Sequence, residues 1–268
     1  MEAVQPRPGA AFAGTWVLGE REVEPVRVLV ISDIHANLTA LQAVLEEAGA
    51  VDGVWNLGDT VGYGPRPREC VNLMIELKAN PALVGNHDLA CIGGLSVDEF
   101  NDVAKRAVQW TAGELGDEQR SYLRSLPSMT VRGEFTLAHA SPREPVWEYV
   151  NSSQTATASF RYFESRGCLV GHTHRAIVAT LVQGEGEARL SLLRDGDVIR
   201  LGGARFLINP GSVGQPRDRD PRAAYGIVDT DERTFTEHRV AYDIEETQQQ
   251  MAEVGLPSML GTRLSLGM

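Results

Sequence analysis

The chain has 268 residues, 25 of them Lys or Arg against 36 Asp or Glu, for a formal net charge of -11. That balance excludes non-specific binding to a nucleic-acid backbone, which needs a surplus of basic groups to release counterions, so any phosphate must meet a local positive centre. With 43% hydrophobic and 23% charged residues, the composition is that of an ordinary globular protein with a sizeable core.

Residues 1–25 are expected to form an N-terminal extension. Glu2, Glu20, Pro6 and Pro8, with only a short apolar stretch from Ala10 to Leu18, do not fit a secretory signal. One domain is expected over 26–255, followed by a tail over 256–268. Val26 to Ile31 is a β-branched run typical of a buried strand and stops at Ser32-Asp33. Leu38, Leu41, Val44, Leu45 and Ala48 then recur at helical spacing between Asn37, a candidate N-cap, and Gly49, a candidate stop. A second strand, Gly53 to Leu57, runs into Gly58-Asp59, a Gly- and Pro-rich loop and a helix over 67–79. Pro81 to Val84 reads as a third strand ending at Gly85-Asn86-His87-Asp88.

Ser96 with Glu99 predicts a capping box for a helix to about Ala112, and a shorter helix is expected from Asp117 to near Pro127. Met129–Val131 and Phe135–Ala138 predict a hairpin that delivers His139. A helix over 154–165 and a strand over 168–170 follow. The remainder reads mostly as strands, at 176–182, 188–193, 206–208, 224–228 and 235–240, and a last helix is expected over 244–254. Alternating strands and helices followed by a strand-rich half predict an α/β (α+β) protein with two sheets packed face to face and helices outside. Ligands of such sheets gather beyond the carboxyl ends of the strands, where the polar motifs sit.

Five of the six histidines, His35, His87, His139, His172 and His174, lie in short polar motifs after predicted strands; only His238 stands apart. A single such histidine is more often a surface or hydrogen-bonded core residue than a ligand, but the set, together with Asp33, Asp59 and Asn86, points to metal. Asp33-Ile34-His35 and His172-Thr173-His174 place their donors on alternate positions of extended segments, so that each pair shares a side. Imidazole, carboxylate and amide donors form sites of intermediate hardness, suited to Mn, Fe, Zn, Co or Ni rather than Ca.

The order Asp33-x-His35, Gly58-Asp59, Gly85-Asn86-His87-Asp88, His139 and Gly171-His172-x-His174 resembles the calcineurin-like metallophosphoesterases, over about residues 26–240. The resemblance implies a four-layer α-β-β-α sandwich and a two-metal site. One metal would take Asp33, His35 and His174, the second Asn86, His139 and His172, with Asp59 bridging and manganese as the expected ion. A water shared by two divalent cations has its pKa lowered toward about 7, so that hydroxide serves as nucleophile near neutral pH. His87 would hydrogen-bond the transferring phosphoryl group or protonate the leaving oxygen; its alternative role is to orient Asn86.

After Gly58-Asp59 the chain continues Thr60-Val61-Gly62-Tyr63-Gly64-Pro65, without the Asp and Arg usual in the Ser/Thr protein phosphatases. This continuation, and the later Asn209-Pro210-Gly211-Ser212, resemble a bacterial group of small phosphoesterases that includes asymmetric diadenosine tetraphosphate hydrolases. A small phosphorylated substrate, especially a nucleotide, is therefore expected. Arg217 either clamps a distal phosphate or is a solvated loop residue, and Tyr63 either stacks on a base or packs within a loop. A protein phosphatase and a non-catalytic scaffold of the same fold, such as a retromer subunit, are the alternatives. Cys70, Cys91 and Cys168 are scattered and are read as reduced, and no run approaches the roughly 18 to 20 apolar residues of a membrane span. A cytoplasmic protein without a membrane partner is expected; no interface pattern specifies an oligomeric state.

Overall fold

The computed structural model describes residues 26–268; the expected extension, with its Ala10 to Leu18 stretch, lies outside the described residues. The β-branched run is strand β1 (Arg27–Ile31), and helix α1 (Leu38–Ala48) returns the chain to β2 (Gly53–Asn56), parallel to β1. The Asn37 side chain accepts the Ala40 N–H at 3.2 Å and so caps α1, and Gly49, at φ 64°, ends it. After α2 (Pro67–Glu76), the stretch expected as a third strand makes only a single parallel bridge, Asn56 with Ala82. Pro81 has no N–H to give, and Val84 already turns away to the Pro127 carbonyl at 2.9 Å. The Gly85 motif opens a short helix instead, α3 (Asn86–Cys91).

Ser96 caps only a 3-10 turn (Val97–Glu99); the longer helix, α4 (Asp102–Glu114), takes its cap from Asn101, and α5 (Asp117–Ser125) follows. The hairpin β3 (Met129–Arg132) and β4 (Phe135–Ala138) forms as expected. Helix α6 (Ser153–Ser159) is shorter than its predicted span. Then come β5 (Gly167–Leu169), β6 (Ala176–Leu181), β7 (Arg189–Leu192), β8 (Val198–Arg200), β9 (Arg205–Pro210), β10 (Ala223–Asp229) and β11 (Thr234–Val240). Helix α7 (Ile244–Glu253) is followed by α8 (Ser258–Leu266), which occupies the segment expected as a tail.

Two mixed sheets result, one in the order β2-β1-β10-β11-β8 and one in the order β3-β4-β5-β9-β6-β7. The period-2 pattern of β1 divides its side chains between two cores. Val28 and Val30 meet Trp55, Phe135, Leu169 and Phe206 between the sheets, where the Trp55 and Phe135 rings lie 5.4 Å apart. Leu29 and Ile31 face Leu41, Val44 and Met74 under α1 and α2. On the far side Ala156 and Phe160, in and after α6, cover Cys168 and Leu207, completing the α-β-β-α layers. All three cysteines are buried and free. Among the described residues no helix is long and apolar enough to cross a membrane.

Parallel pairing aims β1 and β2 the same way in one sheet, and β4, β5 and β9 the same way in the other. Their five carboxyl ends deliver Asp33, Asp59, His139, His172 and the Asn209 loop to one edge of the sandwich.

Candidate active site

The loops at that edge are fastened to one another through the backbone. Asp33 N–H donates to Gly58 O at 3.0 Å and His35 N–H to Asp59 O at 2.9 Å, which joins the ends of β1 and β2. Gly171 N–H donates to His139 O at 2.7 Å, and His172 N–H reaches across to the Asp33 carboxylate at 3.0 Å, joining the two sheets. The donors do not share sides through an extended pleat, as their spacing suggested. Asp33 (φ 53°), His35 (48°), Asp59 (52°), His172 (65°) and His174 (56°) are all left-handed, each costing about 1 kcal/mol or more for a residue with a Cβ. These turns fold the motifs back on themselves and bring side chains from five loops together.

The expected ligands converge, and all are buried. His35 Nε2 and His174 Nε2 lie 3.0 Å apart, with Asp33 Oδ1 3.4 Å from the latter. Asp59 Oδ2 is 3.7 Å from His35 Nε2 and 3.4 Å from His139 Nε2, between the two groups of imidazoles. Asn86 Oδ1 is 3.2 Å from His139 Nε2. Asp33 with His35 and His174, and Asp59 with His139 and His172, each bring three donor atoms within 4.8 Å of one another, close enough to hold a cation. A residue with a side chain at position 85 would overlap the Asp59 carboxylate, so Gly85 is what admits it.

The outward nitrogens fix the tautomers. Nδ1 of His35, His139 and His174 faces the carbonyls of Val61 (3.2 Å), Leu57 (2.9 Å) and Gln215 (2.7 Å), which turns each Nε2 inward. His172 is turned the other way, Nε2 to Trp147 O at 3.2 Å, with Nδ1 buried and without a hydrogen-bond partner. Asp59 Oδ2 and His87 Nδ1 are also buried without one. Unpartnered buried donors and acceptors of this kind are what a site for divalent cations requires, so the residues fit the ions.

Electrostatics agree. Burial pushes His35 and His174 well below the usual imidazole range, His87 down to about 4 and His172 to about 3, so all four are neutral at neutral pH. Burial opposes charge on Asp59 too, but His139, His87 and His35 hold it well below the carboxylate range. His139 is correspondingly raised to about 9, Asp59 outweighing burial, while burial lifts Asp33 to about 7. Without cations, Asp59 and His139 thus form an ion pair inside a ring of neutral donors.

His87, on α3, gives its N–H to Asp59 Oδ1 at 2.9 Å, and its ring lies 4.3 Å from that of Tyr63 and 4.9 Å from that of His35. Tyr63 is only 7% exposed and packs on these two histidines. Arg217 lies over the Tyr63 ring, 5.9 Å from its centre, and its N–H donates to His174 O at 3.0 Å. Four supporting residues were not singled out from the sequence. Asp88 ties Val61 N–H and Gly85 N–H, at 2.9 and 3.1 Å, to the start of α3. Ser212 Oγ donates to Asp33 O at 2.8 Å. Trp147 supplies the carbonyl that holds His172, and the half-exposed Tyr149 ring lies 4.1 Å from the His172 ring. Asp88 belongs to the Gly85-Asn86-His87-Asp88 motif and Ser212 to Asn209-Pro210-Gly211-Ser212; Trp147 and Tyr149 follow no strand and carry no spacing signal.

Residues 26–233 match the calcineurin-like phosphoesterase superfamily domain. The chain belongs to this superfamily. A metallophosphoesterase of Sphaerobacter thermophilus is 49% identical, with a TM-score of 0.83 over 91% of this chain and 100% of that one. An uncharacterized protein of Methanocaldococcus jannaschii is 37% identical over 247 residues, 90% of this chain and 98% of that protein. A symmetrical bis(5'-nucleosyl)-tetraphosphatase of Vibrio cholerae is 31% identical over 134 residues, 47% of this chain and 48% of its own length. Family and fold together make this superfamily member a phosphoester hydrolase. The nucleotide hydrolase among these relatives is of the symmetrical kind, whereas the Gly62-Tyr63-Gly64-Pro65 continuation resembles the asymmetric group.

Proposed function

We propose that the chain hydrolyses P–O bonds of small phosphorylated molecules, nucleotides or dinucleoside polyphosphates in particular, with two divalent cations, manganese first among them. The observation that carries this reading is the position of Asp59: a buried carboxylate whose Oδ2 has no hydrogen-bond partner and lies within 3.7 Å of His35 Nε2 and 3.4 Å of His139 Nε2, between two groups of expected ligands. Asp33, His35 and His174 would hold one cation, Asn86, His139 and His172 the other, and Asp59 both. Bound there, the pair supplies positive charge and an acidified water near neutral pH.

The chain's own groups do the rest. The carbonyls of Val61, Leu57 and Gln215 hold three imidazoles in the ligating tautomer. His87, neutral above about pH 4, offers an N–H to a phosphoryl oxygen rather than a full proton. Arg217, whose main-chain N–H supports His174, would take a further phosphate in its guanidinium fork. The burial of Tyr63 against His35 and His87 favours its packing role over that of a base platform. The free buried cysteines fit a reducing cytoplasm.

A panel of diadenosine polyphosphates, nucleoside monophosphates, cyclic nucleotides, an aryl phosphate and phosphopeptides, each with Mn added, tests this reading. Turnover of the nucleotides above the phosphopeptides is expected. Turnover confined to phosphopeptides would make the chain a protein phosphatase, and none with any first-row metal would leave the scaffold.

A further inference from the structure

A row of rings runs along the site. From Tyr63 it passes to His87 at 4.3 Å, on to Phe100 at 4.9 Å, Trp147 at 5.2 Å and His172 at 6.4 Å, and ends with Tyr149, 4.1 Å from His172. Tyr63, His87, Phe100 and His172 are buried and Trp147 is partly so, whereas Tyr149 is 44% exposed. Among the described residues Tyr149 and Tyr162 are the exposed aromatic side chains, and of these two only Tyr149 lies on an expected ligand. Its ring covers His172 at a tilt of 31° while the rest of it stays in water.

The loop between β4 and α6 that carries Trp147 and Tyr149 is tied to itself. Glu148 stands between the two rings in the chain, and its carboxylate is taken up within the loop: Ser141 Oγ donates to Oε2 at 2.7 Å and Arg143 Nε at 2.9 Å. The buried Ser141 Oγ in turn accepts the N–H groups of Arg143 and Glu144, at 3.2 and 3.0 Å, and Trp147 N–H donates to Glu144 Oε2 at 2.8 Å. Trp147 O meets His172 Nε2 at 3.2 Å, so loop and expected ligand are fixed to one another. Tyr149 is thus held on His172 by a braced loop. An aromatic ring left half in water forgoes part of the gain from burial, which a planar group stacked on it would supply.

We propose that Tyr149 is the platform on which a nucleobase of the substrate stacks while the phosphate lies at the cations. A base is set off from its phosphate by a ribose, and Tyr149 is set off from the cation expected at His172 by that one imidazole. Resting on the phosphoesterase reading above, this narrows the substrate to nucleoside phosphates, over sugar phosphates that carry no ring system. Stacking of this kind accepts any base, since each has a π-face. The part that Tyr63 is too buried to play falls to the exposed end of the row.

Calorimetric titration of the Mn-loaded protein with non-hydrolysable phosphonate analogues of AMP and of ribose 5-phosphate, alike but for the base, reads the platform whether or not the protein turns anything over. Wild type is expected to bind the adenosine analogue the tighter. Tyr149→Leu, which keeps His172 covered but removes the ring face, should shrink that preference by about tenfold, the scale of one base–aromatic stack. Tyr149→Phe should keep it. Wild type without a preference for the base would overturn the platform, as would a preference undiminished in Tyr149→Leu. Equal weakening of both analogues in Tyr149→Leu would do so too, reducing Tyr149 to a cover for His172. Absence of hydrolysis, together with a base preference that Tyr149→Leu removes, would count against the phosphoesterase reading and leave the platform standing.

Discussion

At His87 a single imidazole is buried in contact with Tyr63 and Phe100, tied by its backbone to the Asp59 carboxylate; it is not among the seven expected ligands, although its ring nitrogen comes within 4.8 Å of donor atoms of His35 and Asp59. Replacing it should therefore separate chemistry from metal binding. His87→Ala is expected to lower turnover by about 10²- to 10⁴-fold at saturating metal, with two metal ions per chain retained by elemental analysis. Near-normal turnover would reduce His87 to a support for Asn86. The residues expected as ligands converge, and their types were legible in the sequence because most of them recur after strands in one order. Their geometry was not, since a left-handed φ such as that of Asp33, His35, His172 and His174 is taken by only a small minority of non-glycine residues, and the residue type alone does not announce it. Tyr63 was ambiguous for a similar reason: a Gly-Tyr-Gly turn does not say whether its ring faces solvent or two histidines.

Elements with strong periodicity were read correctly, and those set by context were not. The β1–α1–β2 unit followed from β-branched runs and an Asn37 cap. Helix α8 was missed although Leu256, Leu260 and Leu264 recur every four residues, because its exposed face also carries Met259 and Leu266 and blurs the stripe. Strand β8 has three residues and gains its place only by pairing with β11. On β11, Glu237 is fully buried, and its nearest cation, Arg239 Nε at 3.3 Å, is shared with Asp218. Burial raises the Glu237 carboxyl well above its ordinary value. The folded chain then holds a proton that the unfolded chain releases above about pH 4.3, so stability falls as pH rises through that window. Glu237→Gln removes the loss. Its thermal midpoint should match wild type near pH 4 and exceed it increasingly toward pH 8; a wild type that is the more stable at pH 8 would show an ionised, paired carboxylate instead.

Across the whole molecule, the site lies where two sheets meet, Asp33 and Asp59 coming from one and His139 and His172 from the other. Cations held there bind the folded sandwich and not the unfolded chain. At about 100 times the dissociation constant they should add about 2.7 kcal/mol, raising the melting midpoint of a chain this size by about 5 to 10 °C. Thermal scans with and without Mn, and after chelation, measure this. No shift with Mn, Zn, Co, Ni or Fe would mean that the imidazoles and carboxylates do not act together. The left-handed turns of the five ligand residues set a further condition on the molecule. Glycine would rest more easily at each of them but would bring no donor atom, so the chain carries conformational tension at five of the seven residues expected to hold the cations. Selection for thermal endurance alone would pull those positions toward glycine, and durability and turnover would then be improved only at each other's expense.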